Sequence, residues 1–227
     1  MREIVLDTET TGLDPFSGHR VVEIGCVELV NHVRTGNYYH TYLNPERDMP
    51  MEAERVHGLS EAFLKDKPRF AEIAGSFLEF VDGSTLVIHN AAFDMKFLNA
   101  ELSVANRPTL PMEQAIDTVL MARQRYPGQP ASLDALCKRF NIDLSARTKH
   151  GALLDAELLA DVYLELMGGR QSSLGLVAEL AATGTDCSLS FTGHTDIPER
   201  HFPPSLDELA AHQAMLAKLK NPLWGGV

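Results

Sequence analysis

The sequence is short of the features that hold small secreted proteins together or place a chain in a membrane. Its 227 residues include three cysteines, Cys26, Cys137 and Cys187. They are odd in number, far apart and form no C-x-x-C pair, so neither a disulfide framework nor a cysteine zinc site is indicated. No apolar run approaches the roughly 20 residues needed to span a bilayer. Met1-Arg2-Glu3 passes straight into an apolar strand, unlike a signal peptide. A reducing cytoplasm, away from membranes, is the expectation. Positive charge is scarce too: 20 Lys and Arg against 31 Asp and Glu leave a net charge of −11. That argues against a free-standing protein that grips DNA by charge, since such proteins are usually basic. It leaves nucleic acid open as a substrate, because acids can gather around metal ions and another protein can supply the hold on DNA.

What is present is an ordinary globular composition, 44% hydrophobic and 22% charged. The length suits one sizeable domain with an appendage. Near the start, Ile4-Val5-Leu6 runs into Asp7-Thr8-Glu9-Thr10-Thr11-Gly12. Alternate residues of a strand share a face, so Asp7 and Glu9 converge at the end of a buried strand. Two like charges there repel and lose hydration. A divalent cation with oxygen ligands satisfies both; a surface turn with two solvated acids is the plainer alternative.

Strands come first: Ile4 to Asp7, Val21 to Val30 and Thr35 to Leu43, with short connections that suggest antiparallel neighbours. Asn44 to Pro68 reads as irregular, with a helical turn near Met51 to Val56. Phe70, Ile73, Ala74, Phe77, Leu78 and Val81 repeat at helical spacing, and Gly83 ends that helix. Thr85 to Ile88 is a short strand. Asn90 is the expected cap of a helix with Phe93, Phe97 and Leu98 on its apolar face. Ala115 to Thr118 is a weaker strand, followed by a helix to about Arg125. Ser132 caps a further helix. The last helix of the block, about Gly151 to Met167, carries Leu154, Leu158, Val162 and Leu166 on one stripe. A meander followed by alternation predicts an α/β fold with a mixed sheet.

Two more acidic segments join the first. Asp94, in His89-Asn90-Ala91-Ala92-Phe93-Asp94, falls in the first turn of a helix after a strand parallel to the first. In His150-Gly151-Ala152-Leu153-Leu154-Asp155, a step of five residues would place His150 and Asp155 about 140° apart inside a helix. His150 therefore belongs on the preceding loop, free to move, and Asp155 on the helix. A histidine with a pKa near 6.5 suits proton abstraction at neutral pH.

These motifs together resemble the DEDD exonuclease superfamily in its histidine-containing (DEDDh) branch. The resemblance covers about Arg2 to Gly169 and implies a ribonuclease H-like fold, a mixed five-stranded sheet flanked by helices. It implies 3′-5′ exonuclease activity with two divalent ions, Mg²⁺ or Mn²⁺, held by Asp7, Glu9, Asp94 and Asp155, and His150 as the base. Val56-His57-Gly58 resembles the family's nucleotide-pocket segment, so Glu52, His57 and Phe93, with Asp7, Glu9 and Asp155, are the expected contacts to a DNA 3′ end. For Phe93, core packing is an equal alternative.

Residues 171–204 read as a flexible linker after an exonuclease domain over 1–170. Gln171, Leu174 and Leu176 resemble a sliding-clamp-binding peptide, with Leu176 at a position that also takes aromatic residues. A capping box, Ser205 with Glu208, opens a C-terminal helix over 205–227 with Leu206, Leu209, Leu216 and Leu219 on one stripe and Trp224 beyond it. This tail resembles that of the proofreading subunits of bacterial replicative DNA polymerases. It implies docking to the polymerase alpha subunit through Leu209, Leu216, Leu219 and Trp224, with a small theta-like subunit as a further partner; folding back on its own domain is the alternative. A stand-alone DNA or RNA exonuclease, a catalytically silent scaffold between polymerase and clamp, and a metal-dependent phosphatase are the competing readings.

Overall fold

The computed structural model describes residues 1–145, 147, 149–168 and 204–218. The chain falls into two units, Met1–Gly175 and Leu176–Val227.

In the first unit, Ile4, Val5 and Leu6 are fully buried, because the strand that carries them lies in the middle of a sheet covered on both faces. That strand, β1 (Arg2–Thr10), pairs antiparallel with β2 (Val21–Val30), and β2 pairs antiparallel with β3 (Val33–Tyr42). On its other side β1 pairs parallel with β4 (Thr85–Ile88), and β4 pairs parallel with β5 (Ala115–Asp117). The order is β3-β2-β1-β4-β5, the mixed five-stranded sheet that the resemblance implies. Burying each large aliphatic side chain is worth roughly 1.5–3 kcal/mol. The apolar half of β1 is thereby locked in register, which fixes where its acidic half ends up.

Alternation divides the core between the two faces. Ile4 and Leu6 pack with Phe70 and Phe77 of α3 (Phe70–Val81) and with Phe97 and Leu98 of α4 (Ala91–Val104). Val5 faces the opposite layer. There it meets α5 (Thr118–Arg125), α6 (Leu133–Phe140) and α7 (Ala152–Leu166) through Ala122, Leu136, Leu159 and Tyr163. The spacing of side chains along β1 puts Asp7 and Glu9 on this second face, toward α7. Two short helices, α1 (Met51–His57) and α2 (Glu61–Leu64), occupy the segment between β3 and α3.

Some local expectations change. β1 runs on to Thr10, so Glu9 lies inside the strand rather than past an end at Asp7. β3 begins at Val33, and α1 extends through His57. Asn90 stands at the start of α4 in left-handed conformation, but its side chain makes no capping bond. Asp117 does that work from β5, accepting from the N–H groups of Asn90 (3.3 Å) and Ala91 (3.1 Å). Ser132 caps α6 as expected, accepting from the Ala135 N–H (3.3 Å). α7 is buried over a broad face rather than along one stripe. Ala156, Leu159, Ala160 and Tyr163 are as buried as Val162, while Leu154 is only partly covered.

In the second unit, α8 (Leu206–Leu216) begins with the expected capping box. The Ser205 N–H donates to Glu208 Oε2 (2.7 Å), and the Glu208 N–H donates to Ser205 Oγ (3.3 Å). Leu209 and Leu216 lie on this helix. Gln171, Leu174, Leu176, Leu219 and Trp224 lie outside the described residues, as does the 171–204 linker apart from Pro204.

Candidate active site

The site forms where α7 crosses the acidic end of β1. Gly25 of β2 pairs with Asp7 and makes the crossing feasible. A Cβ on Gly25 would lie 2.3 Å from the backbone of Ala152 and Leu153 at the start of α7. With only hydrogen there, the helix end settles on the sheet beside Asp7. Asp155, one turn into α7, is then carried to the same place, with its side chain 4% exposed.

Asp94 arrives from the other side. The Thr8 N–H (3.1 Å) and hydroxyl (2.7 Å) both donate to its Oδ1. Thr8 lies between Asp7 and Glu9, so the residue separating the first two acids is the one that anchors the third. Burial and the surrounding carboxylates hold the Asp7 carboxyl well above the usual range, with Asp94 the strongest of those neighbours, followed by Glu9 and Asp155. Burial, with help from Asp155, Glu23 and Asp94, pushes Glu9 up to about 8. Burial pushes Asp94 up to about 7 against the downward pull of its bonds from Thr8. Such a cluster favours whatever brings positive charge to it.

His150 lies just before α7, as its spacing predicts, and its ring is half exposed. Its backbone is less free than a loop position suggests: the His150 N–H donates to the Val56 carbonyl of α1 (3.2 Å). Ligand atoms of Glu9, His150 and Asp155 lie within 4.8 Å of one another. The carboxylate oxygens of Glu9 and Asp155, with those of Asp7 beside them, are hard donors that suit magnesium or manganese, so the residues present fit a divalent ion.

Two cavities flank the acids. One, of about 540 Å³, is lined by Glu9, Glu52, His57 and Phe93 among others. His57 is buried; its Nδ1 accepts from the Leu59 N–H (3.0 Å), which leaves the proton of the neutral ring on Nε2. Burial lowers its pKa. Phe93 packs against Phe97 at 5.0 Å between ring centroids while lining the cavity, so core packing and cavity wall hold together. The other cavity, about 300 Å³, is lined by Asp7, His89, Asp134, Arg147, His150 and Asp155 among others.

Arg147 is the site residue that sequence reasoning misses. Its guanidinium forks onto Asp155, with Nε donating to Oδ1 (2.6 Å) and Nη2 to Oδ2 (2.6 Å). Nη2 also reaches His150 Nδ1 (2.8 Å), and Nη1 donates to Asp134. The only sequence signal for it is its position three residues before His150. Gly25 of β2 also escapes a motif-based reading, although a glycine inside an apolar strand points to close approach by another segment.

Comparison with known proteins places this geometry. The family model described as Exonuclease matches residues 4–163, which spans the sheet and all five candidate catalytic residues. Structures with the same fold include Exonuclease X in complex with 5′ overhanging duplex DNA, 27% identical, with a TM-score of 0.58 over 73% of this chain and 91% of that one. The nuclease domain of 3′hExo, a DEDDh family member bound to rAMP, aligns with a TM-score of 0.63 at 16% identity over 73% and 91% of the two chains. By its family match the chain is thus a 3′-5′ exonuclease with the fold of the DEDDh-type nucleases, a class that works with divalent metal ions.

The relatives narrow this further. DNA polymerase III subunit epsilon of Rickettsia conorii is 53% identical over 96% of each chain. The subunit of the same name from Escherichia coli K12 is 44% identical over 95% of this chain and 92% of its own. The chain belongs to the DNA polymerase III epsilon family of exonucleases.

Proposed function

We propose that the chain removes misincorporated 3′-terminal nucleotides for a bacterial replicative DNA polymerase. The observation that supports this reading most is the convergence of Asp7, Glu9, Asp94 and Asp155 on one buried spot, with His150 at its solvent edge and a nucleotide-sized cavity beside it. Asp7, Glu9, Asp94 and Asp155 would hold two divalent ions, Mg²⁺ or Mn²⁺. Bound there, such ions supply Lewis-acid activation of water and of the leaving 3′ oxygen.

The protein's own groups do the rest. The terminal nucleotide enters the 540 Å³ cavity, where Phe93 offers an aromatic wall, His57 a neutral imidazole and Glu52 an acceptor at the rim. His150 takes the proton of the attacking water and passes it to solvent through its exposed ring. The products are a 5′-monophosphate and a strand shorter by one nucleotide. The cavity needs no base-specific donors, because a mismatched end unpairs at lower cost than a matched one. The tail, with Leu209, Leu216, Leu219 and Trp224, docks on the polymerase alpha subunit, and Gln171, Leu174 and Leu176 bind the sliding clamp. A cytoplasmic location follows from those partners; among the described residues no helix is long and apolar enough to cross a membrane.

The test is His150→Ala on a primer with a mismatched 3′ end. Its turnover is expected to fall by about 10²–10⁴-fold with divalent-ion affinity nearly intact. Unchanged turnover removes His150 from the reaction.

A further inference from the structure

Arg147 is a permanent cation placed where two groups of the reaction need to be free. Its side chain is only 9% exposed, and it touches three partners at once. The fork onto Asp155 uses both carboxylate oxygens, at 2.6 Å each. The same Nη2 lies 2.8 Å from His150 Nδ1. Asp134 of α6, whose side chain is 55% exposed, holds the outer nitrogen.

The contact with His150 fixes a proton. Arginine only donates, so a bond from Nη2 requires Nδ1 of the ring to be an unprotonated acceptor. The neutral ring then carries its hydrogen on Nε2 and has no lone pair left for a substrate proton. Asp155 Oδ2 lies 3.1 Å from the same Nδ1. With Arg147 gone, Nδ1–H can donate to Asp155, and the Nε2 lone pair turns outward. The two arrangements exclude each other, because Nδ1 cannot accept from Arg147 and donate to Asp155 at the same time.

We propose that Arg147 is a latch on the metal-free site, which a divalent ion must displace from Asp155, and that this displacement switches His150 to the tautomer able to act as a base. The inference rests on the metal-dependent nuclease reading above. A guanidinium and a dication cannot share one buried carboxylate without strong repulsion, so metal entry and release of Arg147 are a single event. The released guanidinium keeps its bond to Asp134 at the edge of the 300 Å³ cavity. Base and metal ligand are thus armed together, and a site without metal cannot hold a reactive base.

The experiment uses the full chain without DNA. The ¹⁵N resonances of the His150 ring and of Arg147 Nε are followed at about pH 8.5, where an ordinary imidazole is neutral, while Mg²⁺ is added and its binding is measured by calorimetry. The expected result is a proton on Nε2 without Mg²⁺ and on Nδ1 with it, with the Arg147 Nε signal moving over the same range. Arg147→Gln is expected to show the Nδ1 proton before any metal is added and to bind Mg²⁺ about tenfold or more tightly. Should that variant not fold, the wild-type spectra alone decide. Mg²⁺ binding with no change of tautomer, or equal or weaker binding by Arg147→Gln, overturns the latch and leaves the nuclease reading standing. No binding of Mg²⁺ or Mn²⁺ to the wild-type chain overturns both.

Discussion

Replacing Glu9 by Gln is expected to stabilise the metal-free protein while destroying its activity. Glu9 is 9% exposed, and its carboxyl is lifted from an ordinary 4.5 to about 8. Between those two values the folded state holds a proton that the unfolded chain has released. Stability therefore falls as pH rises through this window, and the loss is complete above the folded value. The whole rise corresponds to roughly 5 kcal/mol. Loss of hydration on burial is the leading cause of the rise, with repulsion from Asp155, Glu23 and Asp94 behind it; the neighbouring acids share that repulsion, so removing one charge recovers a part of the whole, roughly 2–4 kcal/mol at pH 8. A domain of this size gains about 2–4 °C in Tm per kcal/mol, so Glu9→Gln is expected to melt roughly 5–10 °C higher in chelator at pH 8. At pH 5 both proteins carry a neutral group at this position, and the difference shrinks to within about 2 °C. Saturating Mg²⁺ reverses the order, because the wild type gains a bound ion that the variant holds poorly. Thermal unfolding in chelator at the two pH values is the assay. A Glu9→Gln protein that melts lower at pH 8, or whose advantage does not depend on pH, refutes the claim that an ionised Glu9, buried among other carboxylates, destabilises the metal-free site.

Gly25→Ala puts a Cβ 2.3 Å from the α7 backbone; the variant is expected to lose about 1–3 kcal/mol in denaturant unfolding and a larger share of its kcat, because Asp155 moves with the helix end. A loss of stability with kcat intact would separate α7 placement from chemistry. Truncation after Pro204 removes α8 and is expected to abolish co-elution with the polymerase while leaving hydrolysis of single strands; retained co-elution contradicts the docking role.

What was legible in the sequence follows from how local each determinant is. The period of two along β1 puts Asp7 and Glu9 together from four residues of context, and the stripe from Phe70 to Val81 reads as a helix for the same kind of reason. The step of five residues places His150 off α7 and Asp155 on it. Asp117 caps α4 from a strand 26 residues away from Ala91, whereas the local rule pointed to Asn90. Arg147 acquires its role only when the loop before α7 folds over Asp155, α6 and His150 together. The breadth of the buried face of α7 likewise depends on its being enclosed between sheet, α5 and α6, which no stripe within the helix announces.

The most direct test is excision from a primer terminus by the full chain bound to its polymerase subunit, with Mg²⁺, comparing a mismatched 3′ end with a matched one. The expected result is faster release of a 5′-monophosphate from the mismatched end, abolished by chelator and by Asp155→Asn. Equal rates on the two ends, or activity that survives either treatment, would contradict a metal-dependent proofreading site built from Asp7, Glu9, Asp94, His150 and Asp155.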